Sequence, residues 1–249
     1  PYFGRCGGCQ WQHLDHPVQL EWKRRVLEEQ LRRVGKLEAV EVRPPLAPLA
    51  PWAYRARAQL KVAGRGRPLV GFHQRATNRV VDLDRCPLLE PRLSAVLAAL
   101  RAMRTPNLLT LFPGLREVWL AAASGTPDVL VSLFARPRER GQARLLFHAL
   151  RAAAPSLRGV VLLAGEPRGS PRPVDWHGER TLREQVGGHR FRIDATAFFQ
   201  VSGRAAEALL TLVRDAAGLT GRERVLDLYC GVGTFTLPLA AAAGETVGV

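Results

Sequence analysis

Residues 223–249 read ERVLDLYCGVGTFTLPLAAAAGETVGV and carry the clearest structural signal in the chain. A short apolar run reaches Asp227, two glycines follow at Gly231 and Gly233, and a second apolar run begins after Gly244. An alanine-rich segment of helical composition lies between the glycines and that second run. This order predicts a strand, a glycine turn, a helix and a new strand, which together begin a βαβ unit with parallel strands.

The glycine turn indicates a ligand site. Glycines at this place let the backbone approach a ligand closely, and the following helix offers free N–H groups. A dinucleotide fingerprint would need another glycine where Thr236 stands, and the lysine of a phosphate-binding loop is absent. The turn therefore favours a cofactor without phosphates, such as S-adenosylmethionine, although an ordinary tight turn stays open as an alternative.

The residues before this unit predict a mixed sheet with helices. Residues 54–62 alternate apolar and basic side chains, as a half-buried strand does. Asp15 and Gly35 can begin and end a helix over 17–34. Residues 165–179 are rich in turn formers and predict a loop or a hairpin tip. Similar patterns predict strands at 69–74, 78–84, 117–123, 128–135, 159–165 and 189–194 and helices at 91–104, 141–153 and 203–218.

The net charge of +14, with a pI near 11.1, indicates a polyanionic partner. Three of the 36 basic residues are lysines, and codon bias can explain arginine over lysine but not the excess of base over acid. We therefore expect nucleic-acid binding. No apolar run approaches the roughly 18 residues of a membrane span, and no signal peptide precedes the first helix, so we expect a cytoplasmic protein without membrane contact.

The basic face of the strand over residues 54–62 is the best candidate for RNA contact. Arg55, Arg57 and Lys61 share this face, and His73 and Arg75 follow on the next turn. Such residues give affinity and salt dependence through phosphate contacts. A solvated charged strand face is the alternative.

Residues 194–210, DATAFFQVSGRAAEALL, followed by residues 224–240, RVLDLYCGVGTFTLPLA, resemble the RNA (uracil-5)-methyltransferases. That family has an F-x-Q motif before a D-L-[FY]-C-G-x-G turn. Two positions depart from it, because Ser202 and Thr234 stand where many members carry asparagine. The resemblance implies that S-adenosylmethionine contacts a set of residues around the two motifs: Gln200, Asp227, Tyr229, Gly231, Gly233 and Thr234.

The first residues, PYFGRCGGCQWQH, resemble the cluster motif of the ribosomal RNA branch of this family. The resemblance implies a [4Fe–4S] cluster bound by Cys6, Cys9 and Cys86, with a fourth ligand expected immediately before Pro1. Zinc would tolerate the same thiolates, whereas a redox pair would not need Cys86.

The resemblance thus implies α/β and α+β architecture in two domains. Residues 1–188 would form the central mixed-sheet domain with the iron–sulfur site, and the helix over 17–34 could pack on the next domain. Residues 189–249 would begin a Rossmann-like class I S-adenosylmethionine-dependent methyltransferase domain. We expect a monomer.

The implied activity is methylation of C5 of a uridine in 23S ribosomal RNA, after a cysteine thiolate adds to C6. The nucleophile and the base are expected after Val249, so no catalytic residue is expected in this chain, which looks truncated at both ends and would be inactive alone. Cys230 fits a small core residue better than a nucleophile. Two alternatives stay open: a tRNA (uracil-5)-methyltransferase and a non-catalytic iron–sulfur module that binds RNA.

Overall fold

The computed structural model describes residues 2–47, 50–64, 68–103, 112–136, 140–167 and 169–249. The described helices are α1 (His16–Arg33), α2 (Pro91–Ala102), α3 (Gln142–Arg151), α4 (Gly203–Ala217) and α5 (Thr236–Ala240). The first strands are β1 (Arg57–Ala63), β2 (Leu69–His73), β3 (Val80–Asp82), β4 (Glu117–Ala122), β5 (Val129–Phe134) and β6 (Leu157–Ala164). The remaining strands are β7 (Arg172–Gly178), β8 (Thr181–Val186), β9 (His189–Asp194), β10 (Arg224–Asp227) and β11 (Glu245–Gly248).

Seven strands form the central sheet in the order β3-β2-β1-β4-β5-β6-β7. β5 and β6 run parallel, and the other neighbours run antiparallel. The predicted mixed sheet is confirmed, and the strands predicted at 117–123 and 128–135 form an antiparallel hairpin, β4 and β5. The last residue of the helix predicted over 91–104 lies outside the described residues.

The main core lies between one face of this sheet and the helices α2 and α3. The alternation predicted for β1 is present, because Ala58 and Leu60 are buried and Gln59 between them is exposed. Burial of such side chains is the main stabilising contribution to the fold. Sheet residues Leu60, Val118, Val131 and Val160 and helix residues Leu93, Leu97 and Leu146 belong to this cluster.

The other face of the sheet is covered in part by the hairpin of β8 and β9. Leu182 of β8 packs in a smaller cluster with Leu130 and Phe134 of β5 and Val161 of β6. This leaves a cleft beside β1 and β4.

The βαβ unit predicted from residues 223–249 is confirmed. β10 and β11 pair in parallel, with Arg224 opposite Glu245 and Asp227 opposite Gly248, and α5 lies between them in sequence. Parallel strands require such a crossover connection.

Helix α1 matches its predicted range within one residue at each end, but its cap differs from expectation. Asp15 occupies the N-cap position without a side-chain capping hydrogen bond. The left-handed residue after the helix is Lys36, with φ +55°, rather than Gly35. No residue of α1 is buried, and its packing on another domain stays a prediction.

Two strands were not expected from the sequence. β7 lies inside residues 165–179 and pairs with β6 at the sheet edge, where proline is tolerated. β8 alternates inward residues Leu182, Glu184 and Val186 with exposed ones. The inward glutamate interrupts the apolar alternation, so the sequence pattern does not predict this strand. The predicted domain boundary between 188 and 189 falls in the turn of the β8–β9 hairpin, and the division into domains stays a prediction.

A buried ion pair joins the β8–β9 hairpin to the central sheet. The Arg57 guanidinium on β1 donates to the Glu184 carboxylate at 3.0 Å, and their side chains are 15% and 1% exposed. The second Glu184 oxygen accepts the backbone N–H of Ser124 at 2.8 Å. Arg57 also lies over the Phe199 ring, 5.0 Å from its centroid. We call this set of contacts the Arg57–Glu184 junction.

The backbone completes the junction. The N–H of Ala56 donates to the Val201 carbonyl at 2.7 Å. At the start of α4, a Cβ on Gly203 would lie 2.0 Å from the Ser124 hydroxyl oxygen, so only glycine permits this close approach. Residues 195–203 are therefore held against the sheet from two sides.

Replacing Glu184 with alanine tests the junction. We expect the free energy of unfolding to fall by about 3 kcal/mol or more, because the change leaves a buried guanidinium without its partner. Chemical denaturation followed by circular dichroism measures this loss.

The control is E166A, which removes the exposed carboxylate that pairs with Arg116. Its expected loss is below about 1 kcal/mol, as for other exposed pairs. Equal losses in the two variants would contradict a special role for Glu184.

Candidate functional site

The glycine turn lies at the carboxyl end of β10, where α/β sheets bind their ligands. Gly231 and Gly233 adopt φ +56° and +81°, which L side chains rarely adopt. Asp227 accepts a hydrogen bond from the Thr236 hydroxyl at 2.6 Å, so its carboxylate is held at the turn. Thr234 is buried. The turn residues thus fit a ligand that approaches the backbone closely.

Tyr229 stands out at this turn because it is both strained and exposed. It has φ +61° and its side chain is 97% exposed. The left-handed conformation costs an L-residue roughly 1–2 kcal/mol, and such strain concentrates at functional sites. The ring therefore stands free beside the turn, available to a ligand.

The segment that carries Gln200 packs against the glycine turn. Phe199 belongs to a buried cluster with Ala206 and Leu210 of α4, and Val232 and Phe235 pack against that cluster. Gln200 itself is half-buried, and its side chain has no hydrogen-bond partner among the described residues. The structure therefore brings the F-x-Q segment and the glycine turn into one unit.

Ser202, which replaces the family's asparagine, begins α4. Its hydroxyl accepts the Ala205 N–H at 3.4 Å and so caps the helix. Serine and asparagine are interchangeable in this role, so the departure leaves the local structure intact.

A cleft of about 560 Å³ lies between the sheet and residues 193–201. Arg55 and Arg57 line it together with the aromatic residues Phe72, Trp119 and Phe198. The Nε atoms of both arginines are buried, and neither has a hydrogen-bond partner in the described part of the chain. Unpaired buried donors are costly, so the cleft suits a ligand that brings hydrogen-bond acceptors.

The five residues predicted to bind RNA fall into two groups. Arg55 and Arg57 line the cleft, whereas Lys61, His73 and Arg75 line a shallow groove next to Gly7 and Gly8. Arg57 and Lys61 are paired with Glu184 and Glu117, so the predicted basic face is partly neutralised within the protein. The RNA-binding role of all five stays a prediction.

The three predicted metal-binding cysteines line one small cavity. Cys6, Cys9 and Cys86 contribute to its lining, and the Gly8 N–H donates to the Cys6 sulfur at 3.4 Å. Burial raises the pKa of the Cys6 and Cys9 thiols, the neighbouring thiols raise it further, and Arg55 lowers it. Across residues 2–249, outside the undescribed gaps, no three histidine, cysteine or acidic side chains lie close enough to hold a metal ion. The donor chemistry fits a cluster, but ligand geometry is not formed.

The fourth cysteine, Cys230, packs inside the βαβ unit. A Cβ on Gly248 would lie 3.0 Å from the Cys230 sulfur and 3.1 Å from the Thr236 methyl carbon. The thiol thus fills a tight space between the turn and β11, which agrees with a packing role.

Sequence reasoning missed Glu184 and Trp119. Glu184 anchors Arg57, and Trp119 lines the cleft while its indole N–H donates to Glu117 at 2.8 Å. The available signal for Glu184 was the alternation of residues 181–186, in which an acid takes an inward position. Trp119 carried no signal, because a tryptophan in a strand usually indicates core.

Comparison with solved structures identifies the fold. The chain matches the crystal structure of Pyrococcus abyssi tRNA (uracil-54, C5)-methyltransferase in complex with S-adenosyl-L-homocysteine, with a TM-score of 0.71 and 22% identity. The match covers 98% of this chain and 58% of that one. The mixed α/β fold with its central mixed sheet therefore resembles that of an S-adenosylmethionine-dependent methyltransferase.

Curated relatives are named RNA methyltransferases. The chain is 34% identical over 261 residues to an uncharacterized RNA methyltransferase of Gloeobacter violaceus, covering 100% of this chain and 57% of the relative. It is 36% identical over 255 residues to one of Thermosynechococcus vestitus, covering 98% and 57%. The chain thus spans little more than half the length of these relatives. No protein-family model matches it. No described helix is long and apolar enough to cross a membrane.

Proposed function

We propose that the protein is an S-adenosylmethionine-dependent RNA methyltransferase that modifies C5 of a uridine in 23S ribosomal RNA. The observation that carries this proposal is that Phe199 belongs to the buried cluster against which Val232 and Phe235 of the glycine turn pack, because this cluster unites the F-x-Q segment and the turn. The names of the relatives support RNA methylation, and the resemblance of both motifs to the RNA (uracil-5)-methyltransferases supports uracil C5.

The cofactor site would be formed around the glycine turn. Bound S-adenosylmethionine supplies the methyl group. Gly231 leaves room for its close approach, because no atom lies within 4 Å of a Cβ built on Gly231, and at Gly233 the nearest atom to such a Cβ is 3.7 Å away. The exposed Tyr229 ring offers an apolar surface to the cofactor. The unpaired amide of Gln200 offers both a donor and an acceptor to its polar groups.

The cleft would receive the RNA. Its aromatic residues offer stacking surfaces for unpaired bases, and base–aromatic stacking is tolerant of sequence. The buried Nε atoms of Arg55 and Arg57 can donate to acceptors on a base or phosphate. Phe198 lies two residues before Gln200 and is exposed, so the cleft and the proposed cofactor site share one segment.

A [4Fe–4S] cluster bound by Cys6, Cys9 and Cys86 belongs to the same proposal. A cluster takes four cysteine thiolates, and three cysteines line this cavity. The cluster would tie the N-terminal loop to the Cys86 loop and so shape the groove that His73 and Arg75 line.

Methylation of tRNA is the second candidate. The matched Pyrococcus abyssi protein is named as a tRNA enzyme, but 22% identity carries only the fold. The cysteines favour ribosomal RNA, because the cluster motif resembles the ribosomal RNA branch. A non-catalytic RNA-binding module would have no use for a glycine turn packed against the Gln200 segment.

Deletion of the gene tests the proposed activity. We expect 5-methyluridine to disappear from one position of 23S ribosomal RNA while tRNA keeps its own, as mapped by mass spectrometry. A gene encoding Q200A should fail to restore the modification, because the variant loses a cofactor contact. The matched control Q30A changes an exposed glutamine on α1 and should restore it. Unchanged ribosomal RNA and loss from tRNA would favour the second candidate, and no loss from either would refute both.

Anaerobic purification tests the proposed cluster. We expect brown protein with about four iron and four sulfide per chain. C86A should lose most of the iron, whereas C230A, which changes the cysteine packed against Gly248, should keep it. Colourless protein that contains zinc or no metal would contradict the cluster.

A further inference from the structure

The outward face of the β8–β9 hairpin carries three arginines, together with Thr181, Gln185 and Asp194. Arg183 of β8 and Arg190 and Arg192 of β9 point outward, while their strand neighbours point into the protein. Arg183 lies directly opposite Arg192, and Arg190 lies opposite Gln185. We call the three exposed arginines the hairpin arginine face.

The acidic residue of this face, Asp194, accepts hydrogen bonds from the backbone N–H and the hydroxyl of Thr196, at 2.9 and 2.8 Å, and, among the described residues, not from an arginine. In the part of the chain that the structure describes, none of the three arginines forms an ion pair or a side-chain hydrogen bond. Asp128 is near enough to Arg183 to interact electrostatically, but its carboxylate is bonded to Arg158 at 2.6 Å. This differs from β1, where Arg57 and Lys61 have carboxylate partners.

The hairpin is also held rigidly. The Gly187 N–H in its turn donates to both oxygens of Glu207 on α4, each at 2.9 Å. Glu184 fixes β8 to Arg57 and Ser124. The backbone that carries the arginines is therefore already ordered, and binding a ligand there would cost little conformational entropy.

Stability alone does not explain this arrangement. Like charges directly opposite each other destabilise an antiparallel pair. Two facing arginines without partners instead suit a ligand with repeated negative charge, because guanidinium groups bind phosphate in a bidentate manner.

We propose that the hairpin arginine face binds the phosphate backbone of the RNA. This inference rests on the proposed function, and it adds a surface outside both the cleft and the groove. The hairpin arginine face and the cleft lie on opposite sides of the same hairpin, because Leu182 and Ile193 on its inner side line the cleft. An RNA strand whose base enters the cleft can thus continue around the hairpin onto the arginines.

Salt dependence of RNA binding tests the proposal. The probe is a fluorescein-labelled oligouridylate, and fluorescence anisotropy gives its affinity for wild type and R183Q/R192Q over a series of KCl concentrations. The plot of log affinity against log salt should become shallower by about 1.4, because each phosphate contact on a single strand contributes about 0.7. The thermal unfolding midpoint should stay the same or rise, since two facing like charges are removed.

The matched control is R144Q/R214Q, which removes two exposed helix arginines and the same net charge. Its slope should equal that of wild type. An unchanged slope in R183Q/R192Q, or an equal change in both variants, would overturn the proposal while the proposed function stands. Failure of the wild-type protein to bind the RNA at all would overturn both.

Discussion

The Arg57–Glu184 junction is the contact on which the arrangement of the site depends. It connects the first strand of the central sheet to the β8–β9 hairpin, and through Ser124 it also reaches the hairpin of β4 and β5. Removing either partner would leave a buried group unsatisfied, so the pair is far more costly to break than an exposed one. With the Ala56–Val201 hydrogen bond, it fixes the segment that carries Phe198 and Gln200 beside the sheet.

The junction is one of two ion pairs that neutralise part of the basic face predicted on β1. The sequence predicts that the basic face of β1 meets RNA, but Arg57 and Lys61 have internal partners, and Arg57 acts first as a structural residue. Unpaired charge lies elsewhere, in particular on the hairpin arginine face. Net charge indicates a class of partner, and RNA binding stays a prediction. The surface that carries the available charge could be located only from the fold.

Local patterns predicted most of the fold, and long-range contacts account for what they missed. The alternation around Leu60 predicts β1, and the glycines of the turn predict the βαβ unit. Both elements could therefore be located from the sequence. β8 could not, because Glu184 is inward only by virtue of Arg57, 127 residues away. Sequence motifs predicted the cofactor-type residues and the grouping of the three cysteines. They did not predict the cleft, because its walls belong to separate segments of the chain.

Amide hydrogen exchange of wild type and E184Q tests whether the Arg57–Glu184 junction positions residues 195–203. We expect the amides of Ser124 and Ala56 to exchange much faster in E184Q, because the Ser124 N–H donates to Glu184 and the Ala56 N–H donates to Val201 in the segment that the junction holds. Amides within β5 and β6 should keep their protection. Equal exchange of the Ala56 amide in the two proteins would show that residues 195–203 are positioned without the junction and would contradict the account.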